Sequence, residues 1–110
     1  LNSSIREIYE TRARIIKAMA HPTRLFIIDK LTEKEYCVCE LTEMVGVDIS
    51  TLSKHLSVMK SAGLLKTRRE GNTIYYSLTC ECITKYLSCV DGVIKNNARL
   101  HNKLVRIIGE

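Results

Sequence analysis

The feature that most constrains this chain is a change of hydrophobic period, from helical to alternating and back, within 110 residues. Up to Ala62 the apolar residues recur at three- and four-residue spacing, the mark of helices that bury one face. Ile5, Ile8, Ile15, Ile16 and Met19 fit a first helix. Leu25, Phe26, Ile28 and Leu31 fit a second, ending near Glu33. Leu41, Met44 and Val45 fit a short third from Cys39 to Val45, and Leu52, Leu56 and Met59 a fourth running to about Ala62. At Leu65 the period drops to two. Leu65, Thr67 and Arg69 alternate with Lys66 and Arg68, Glu70-Gly71-Asn72 turns the chain, and Ile74, Tyr76 and Leu78 alternate with Tyr75 and Ser77. That is a β-hairpin. From Thr79 the helical period returns. Ile83, Leu87, Val90, Ile94, Leu104 and Ile108 fall close to one seam, with Asn97 and His101 on it, and predict one long helix to Ile108.

The punctuation agrees with these boundaries. Pro22, the single proline, suits the first position of a new helix. Gly46 supplies a sharp turn, Asp48 is a good N-cap, and Gly63 suits a helix C-terminus. Helix, glycine turn, helix and basic hairpin together predict a mainly α fold with a β-hairpin wing, a winged helix-turn-helix. The whole of 1–110 is expected to form one domain. Its helix-turn-helix would span 39–62 and its wing 64–78. Residues 1–20 hold the first helix, and the apolar stripe of the last, over 79–108, is long enough in so small a chain to want a partner chain to cover it.

Seventeen Lys and Arg against twelve Asp and Glu give a net charge of +5, which favours a polyanionic partner. No apolar stretch approaches the roughly 20 residues that span a bilayer. No secretory leader pattern is visible either, so a cytoplasmic protein without a membrane partner is expected. The second helix of the turn motif presents Ser50, Thr51, Ser53, Lys54, His55, Ser57 and Lys60 opposite its apolar row. Short hydroxyl side chains let a helix approach the major groove closely, and lysines add phosphate contacts. Arg68, Arg69 and Asn72 would ride near the hairpin tip, within reach of phosphates or a minor groove. A polar row is ordinarily just a solvated helix face. Here its place between a turn and a basic wing makes double-stranded DNA the expected partner. His55 reads equally well as a DNA contact or as a satisfied packing or phosphate-facing histidine.

Three stretches then carry a family resemblance: Ala20-His21-Pro22-Thr23-Arg24-Leu25, Asp48 to Leu56, and Arg69-Glu70-Gly71-Asn72-Thr73-Ile74-Tyr75-Tyr76. Nearly the whole chain resembles the ArsR/SmtB family of metal-responsive repressors. The resemblance implies a homodimer built on the first and last helices. It also implies binding to a two-fold symmetric operator and release on ligand binding.

Five cysteines, Cys37, Cys39, Cys80, Cys82 and Cys89, are an odd set with two C-x-C pairs, which argues against a secreted disulfide framework. Thiolates suit thiophilic ions: arsenic(III) first, then cadmium, lead or zinc, with copper(I) also of this class. In arsenic- and cadmium-sensing members of the family a Cys-Val-Cys matches Cys37 and Cys39. Residues two apart on a helix do not face each other, so both can hold one ion only if Cys37 precedes the helix or its first turn distorts. The family's third cysteine would fall at Thr42, which cannot replace it. Cys80 and Cys82 are a second candidate soft pair. In zinc-sensing relatives an Asp-x-His pair stands at the positions of Cys80 and Cys82 and the later ligands would fall at Val93 and Asn96, so that zinc site looks lost. Cys89 reads as a small buried hydrophobe, and His21 as a helix-start group.

The expected function is a transcriptional repressor released by a thiophilic metal or metalloid, arsenic(III) foremost. The alternative on the same fold is a thiol redox or reactive-sulfur sensor. A small thiol oxidoreductase is a distant third, because the chain lacks the βαβ pattern that would frame a redox pair. No enzyme is expected.

Overall fold

In a computed structural model, which describes residues 1–109, the side chains of residues 98–101 lie outside the description; the expected seam position of His101 is among them. The elements run α1 (Ser3–Met19), α2 (Pro22–Leu31), β1 (Tyr36–Cys37), α3 (Val38–Val45), α4 (Ile49–Ser61), β2 (Leu65–Glu70), β3 (Thr73–Leu78), α5 (Ile83–Asn96) and α6 (Ala98–Ile108). The expected fold, mostly helical with a hairpin wing, is what forms. The chain divides into two compact units, residues 1–80 and 81–110.

In the first unit the core is made by α1, α2, α3, α4 and the base of the wing. Ile27, Ile28, Leu41, Leu52, Leu56 and Met59 are fully buried. Burying each such side chain contributes about 1.5–3 kcal/mol. The α4 row forms as its spacing requires, with Leu52, Leu56 and Met59 all inward. On α2 the inward residues are Ile27, Ile28 and Leu31, while Leu25 and Phe26 face outward. The helix there ends at Leu31, two residues before the expected Glu33. Met44 of α3 is likewise partly exposed, and Leu41 does the buried packing.

Local chemistry fixes the ends. Pro22 opens α2, and His21 caps it, its Nδ1 accepting from the Thr23 N–H at 3.1 Å. Gly46 adopts φ 80°, a left-handed conformation that a side chain would strain, and its N–H closes α3 on the Thr42 carbonyl at 2.9 Å. Asp48 caps α4, its carboxylate accepting from the Thr51 N–H at 2.9 Å. Gly63, φ 84°, turns the chain from α4 into the wing.

The sheet has three strands rather than the two of the hairpin, in the order β1-β3-β2, all antiparallel. Register places Leu65 opposite Leu78, Thr67 opposite Tyr76 and Arg68 opposite Tyr75. The additional strand pairs Tyr36 with Tyr76 and Cys37 with Tyr75.

The second unit corrects the expected single helix over 79–108. Thr79 to Cys82 is not helical, and α5 and α6 are separate helices parted at Asn97, whose backbone is extended (φ −85°, ψ 106°). None of the α5 residues is buried within the chain. Val90 and Val93 are exposed on α5, as are Ile107 and Ile108 on α6.

Candidate nucleic-acid interface and thiol site

Because Leu52, Leu56 and Met59 turn inward, the opposite side of α4 is left to solvent. Ser50, Thr51, Ser53, Lys54, Ser57 and Lys60 are all exposed there. The cap at Asp48 keeps the first turn of this helix intact, and its carboxyl is held below the usual range by hydrogen bonds from Thr51. His55 is placed differently. It is half-buried on the flank of α4, where its Nδ1 accepts from Arg24 Nε at 3.1 Å and its ring meets that of His21, centroids 4.4 Å apart. Burial, then the charges of His21 and Arg24, push its pKa down. The packing partners expected of one reading of His55 are present, and its ring remains half-buried rather than enclosed.

On the wing, Arg69 and Asn72 are exposed. Arg68 is not a free cation. Its guanidinium is forked onto Glu35, with Nε 3.1 Å from Oε1 and Nη2 also bonded to Oε1, and its Nη1 donates to Glu70 at 3.0 Å. It also lies over the Tyr75 ring, 4.8 Å from the centroid. Two carboxylates compensate its charge, so any phosphate would compete with them. Arg68 hydrogen bonding holds the Glu35 carboxyl below its ordinary value.

The first thiol pair sits where the sheet meets the turn motif. Cys37 ends β1 and is the N-cap of α3, with extended backbone (φ −88°, ψ 168°); Cys39 lies in the first turn. The condition set by helical geometry is met, because Cys37 precedes the helix. The helix itself starts at Val38, one residue before the expected Cys39. The Cys37 N–H donates to the Glu40 carboxylate at 3.0 Å. That bond first, and the Cys37 thiol second, lower the Glu40 pKa. Both thiols are free, Cys39 exposed and Cys37 half-buried. They line one cleft of about 750 Å³, together with Lys34, Glu40, Arg68 and Tyr75. Thr42, where the family's third thiol would stand, spends its hydroxyl on the Val38 carbonyl at 2.7 Å. No cluster of three or more His, Cys, Asp or Glu side chains suited to a metal ion occurs among the described residues.

Cys80 and Cys82 are disulfide-bonded. As a candidate soft pair they therefore offer no thiolate in this state. Cys89 is free and exposed rather than buried. Val93 and Asn96 are exposed on α5.

The sequence reading missed β1, the Glu35 and Glu70 partners of Arg68, and the His21–Arg24–His55 cluster. A signal for the cluster was present: His21 and Arg24 flank the predicted start of α2 and so share its first turn.

Residues 21–67 match the family of bacterial regulatory proteins described as the arsR family. The nodulation protein NolR of Rhizobium meliloti is 39% identical over 84 residues, which is 76% of this chain and 69% of that protein. The chain belongs to the arsR family. A CadC homologue of Staphylococcus aureus, a cadmium resistance transcriptional regulatory protein, is 34% identical over 88% of this arsR-family chain and 74% of its own length. The solved homodimeric winged helix-turn-helix DNA-binding domain of Mb0332 from Mycobacterium bovis superposes with a TM-score of 0.77. It is 28% identical, over 89% of this chain and 94% of that one. This arsR-family protein is accordingly a winged helix-turn-helix transcriptional repressor of the ArsR/SmtB type, not an enzyme. Among the described residues, no helix is long and apolar enough to cross a membrane.

Proposed function

We propose that the protein binds a two-fold symmetric operator as a homodimer in the cytoplasm and leaves it when Cys37 and Cys39 take a thiophilic ion, arsenic(III) foremost, with cadmium, lead and zinc as weaker candidates. One observation carries the ligand assignment: two free thiols, one before α3 and one in its first turn, face a common cleft at the start of the helix-turn-helix. Operator contact falls to Ser50, Thr51, Ser53, Lys54, Ser57 and Lys60 of α4, with Arg69 and Asn72 on the wing. His55 and Arg68 support these elements through the partners described above. The dimer reading is supported by the exposed Ile5, Ile8, Tyr9 and Ile16 of α1 and by the homodimeric Mb0332 domain.

Cys37 is both cap and ligand. Drawing its sulfur onto an ion held by Cys39 reorganises the first turn of α3, and α3 supports α4. A hundredfold fall in operator affinity needs about 2.7 kcal/mol of preference of the ligand for the released state. The two thiols are half of a soft site. A solution thiol, or chain outside these residues, would complete it.

The test uses duplexes recovered from a random library by the metal-free protein. Arsenite, cadmium and zinc are titrated against the complex, with wild type and Cys37→Ser/Cys39→Ser. Release in the wild type and none in the double variant is expected. Undiminished release in the variant would remove these thiols from the site. The reading as a thiol redox or reactive-sulfur sensor is favoured by a different observation, the disulfide-bonded state of Cys80 and Cys82. Polysulfide in the same titration, with Cys80→Ser/Cys82→Ser, separates it from the metal reading.

A further inference from the structure

A second cleft, of about 500 Å³, is bounded by the later turns of α1, the start of α2 and the last turns of α4. Its polar walls are Arg14, Lys17, Arg24, Ser57 and Ser61, three cations and two hydroxyls without a carboxylate. Arg14 and Lys17 stand three apart on α1 and so share one face. Among the described residues neither of them, nor Arg24, forms an ion pair. Arg68 on the wing is the contrast, with two carboxylates on its guanidinium. Arg24 is held in place, donating to His55 Nδ1 at 3.1 Å and to the Ala18 carbonyl at 3.4 Å. Three uncompensated cations gathered around one concavity repel each other, and an anion relieves that repulsion.

We propose that this cleft seats a phosphodiester of the DNA backbone, extending the DNA-binding surface from α4 onto α1. The proposal rests on the reading that α4 faces DNA, because Ser57 belongs both to the exposed row of α4 and to the cleft wall. A free phosphate ion shares the recognition chemistry. The polymer is favoured because Arg14 and Lys17 are solvent-exposed. Exposed charges hold a lone ion weakly against salt, whereas DNA adds the release of its condensed counterions.

The experiment measures binding to a random-sequence duplex of about 30 base pairs by fluorescence anisotropy, from about 50 to about 200 mM salt. It compares wild type, Arg14→Gln/Lys17→Gln, the charge-keeping Arg14→Lys/Lys17→Arg, and Lys54→Gln as a control on α4. Circular dichroism checks that each is folded. For one phosphate neutralised per protomer, the uncharged variant should lower the slope of log affinity against log salt by about 0.9 per protomer. Its affinity near about 100 mM salt should fall by roughly three- to tenfold, while the charge-keeping variant stays within about twofold. If the uncharged variant keeps the wild-type slope while Lys54→Gln loses affinity, the cleft assignment falls and the α4 reading stands. Equal loss in both α1 variants would make the effect one of packing and overturn the proposal. Absence of duplex binding by the wild type would sink both readings. Millimolar inorganic phosphate giving a calorimetric signal that only Arg14→Gln/Lys17→Gln abolishes, with DNA binding unchanged in that variant, would assign the cleft to the free ion.

Discussion

Helices α1 and α4 are both amphipathic, yet only α4 finishes its packing inside the chain. The three apolar residues of its row are fully buried. On α1 the terminal Ala18 and Met19 are buried, while Ile5, Ile8 and Ile16 stay 40–50% exposed. The same sequence periodicity thus marks two different jobs. One apolar face closes the core of the subunit and fixes the helix proposed to face DNA. The other is left open, and in an arsR-family protein a second copy of the chain is its proposed cover.

Four measurements test that contrast. The largest effect is expected from Leu56→Ala, which empties a fully buried site and should lower unfolding free energy by about 2–5 kcal/mol in urea denaturation. A loss below about 1 kcal/mol would mean that the α4 core is not the keystone of the subunit. Next comes Ile8→Asp on the open face of α1. Sedimentation equilibrium should show dimer dissociation strengthened by at least about tenfold, since each covered apolar side chain is worth about 1.5–3 kcal/mol and appears twice in a symmetric dimer. An unchanged association constant would place the interface elsewhere.

The third and smaller effect concerns His55 on the flank of α4. Its folded pKa is depressed, by burial first. The unfolded chain therefore takes up a proton that the folded chain resists. Stability contributed by neutral His55 is full above about pH 6.5 and is lost as pH falls from there through the folded pKa. His55→Phe should flatten that limb of the stability–pH curve; an identical limb in the variant would assign it to another group.

The smallest effect separates the two helix starts. Asn2 caps α1 with a neutral amide that accepts from the Ile5 N–H at 2.9 Å, whereas Asp48 caps α4 with a carboxylate. The depressed Asp48 pKa means that its capping contribution is present above its unfolded value and fades as pH falls through the folded one. Asp48→Asn should keep the cap and lose this acid dependence, and hydrogen exchange at the Thr51 amide under mildly acid conditions reads the difference directly.

The sequence carried α4 almost completely, because period, cap and terminating glycine all fell within sixteen residues, from Asp48 to Gly63. The wing was legible for the same reason, an alternating pattern around Gly71-Asn72. The strand β1 was not, since two residues have no period to read. The partners of Arg68 were hidden by distance, as Glu35 lies thirty-three residues earlier. The break at Asn97 was masked by an apolar stripe that continues on both sides of it, and asparagine is only a weak stop signal. At the thiol site, sequence supplied the residue types and the condition that Cys37 precede the helix. It did not supply the cleft, which exists only because β1 brings Cys37 beside Tyr75 and Arg68.

That short strand has a consequence for how the gene can vary. Side chains on a strand alternate faces, so pairing shifted by one residue exchanges Tyr36 and Cys37 between the two sides of the sheet. The four-residue tether from Thr32 to Glu35 sets that phase. Changing its composition leaves the phase alone, whereas removing or adding a single codon inverts it. A thiol placed this way is specified by the length of its tether as much as by the identity of its residue.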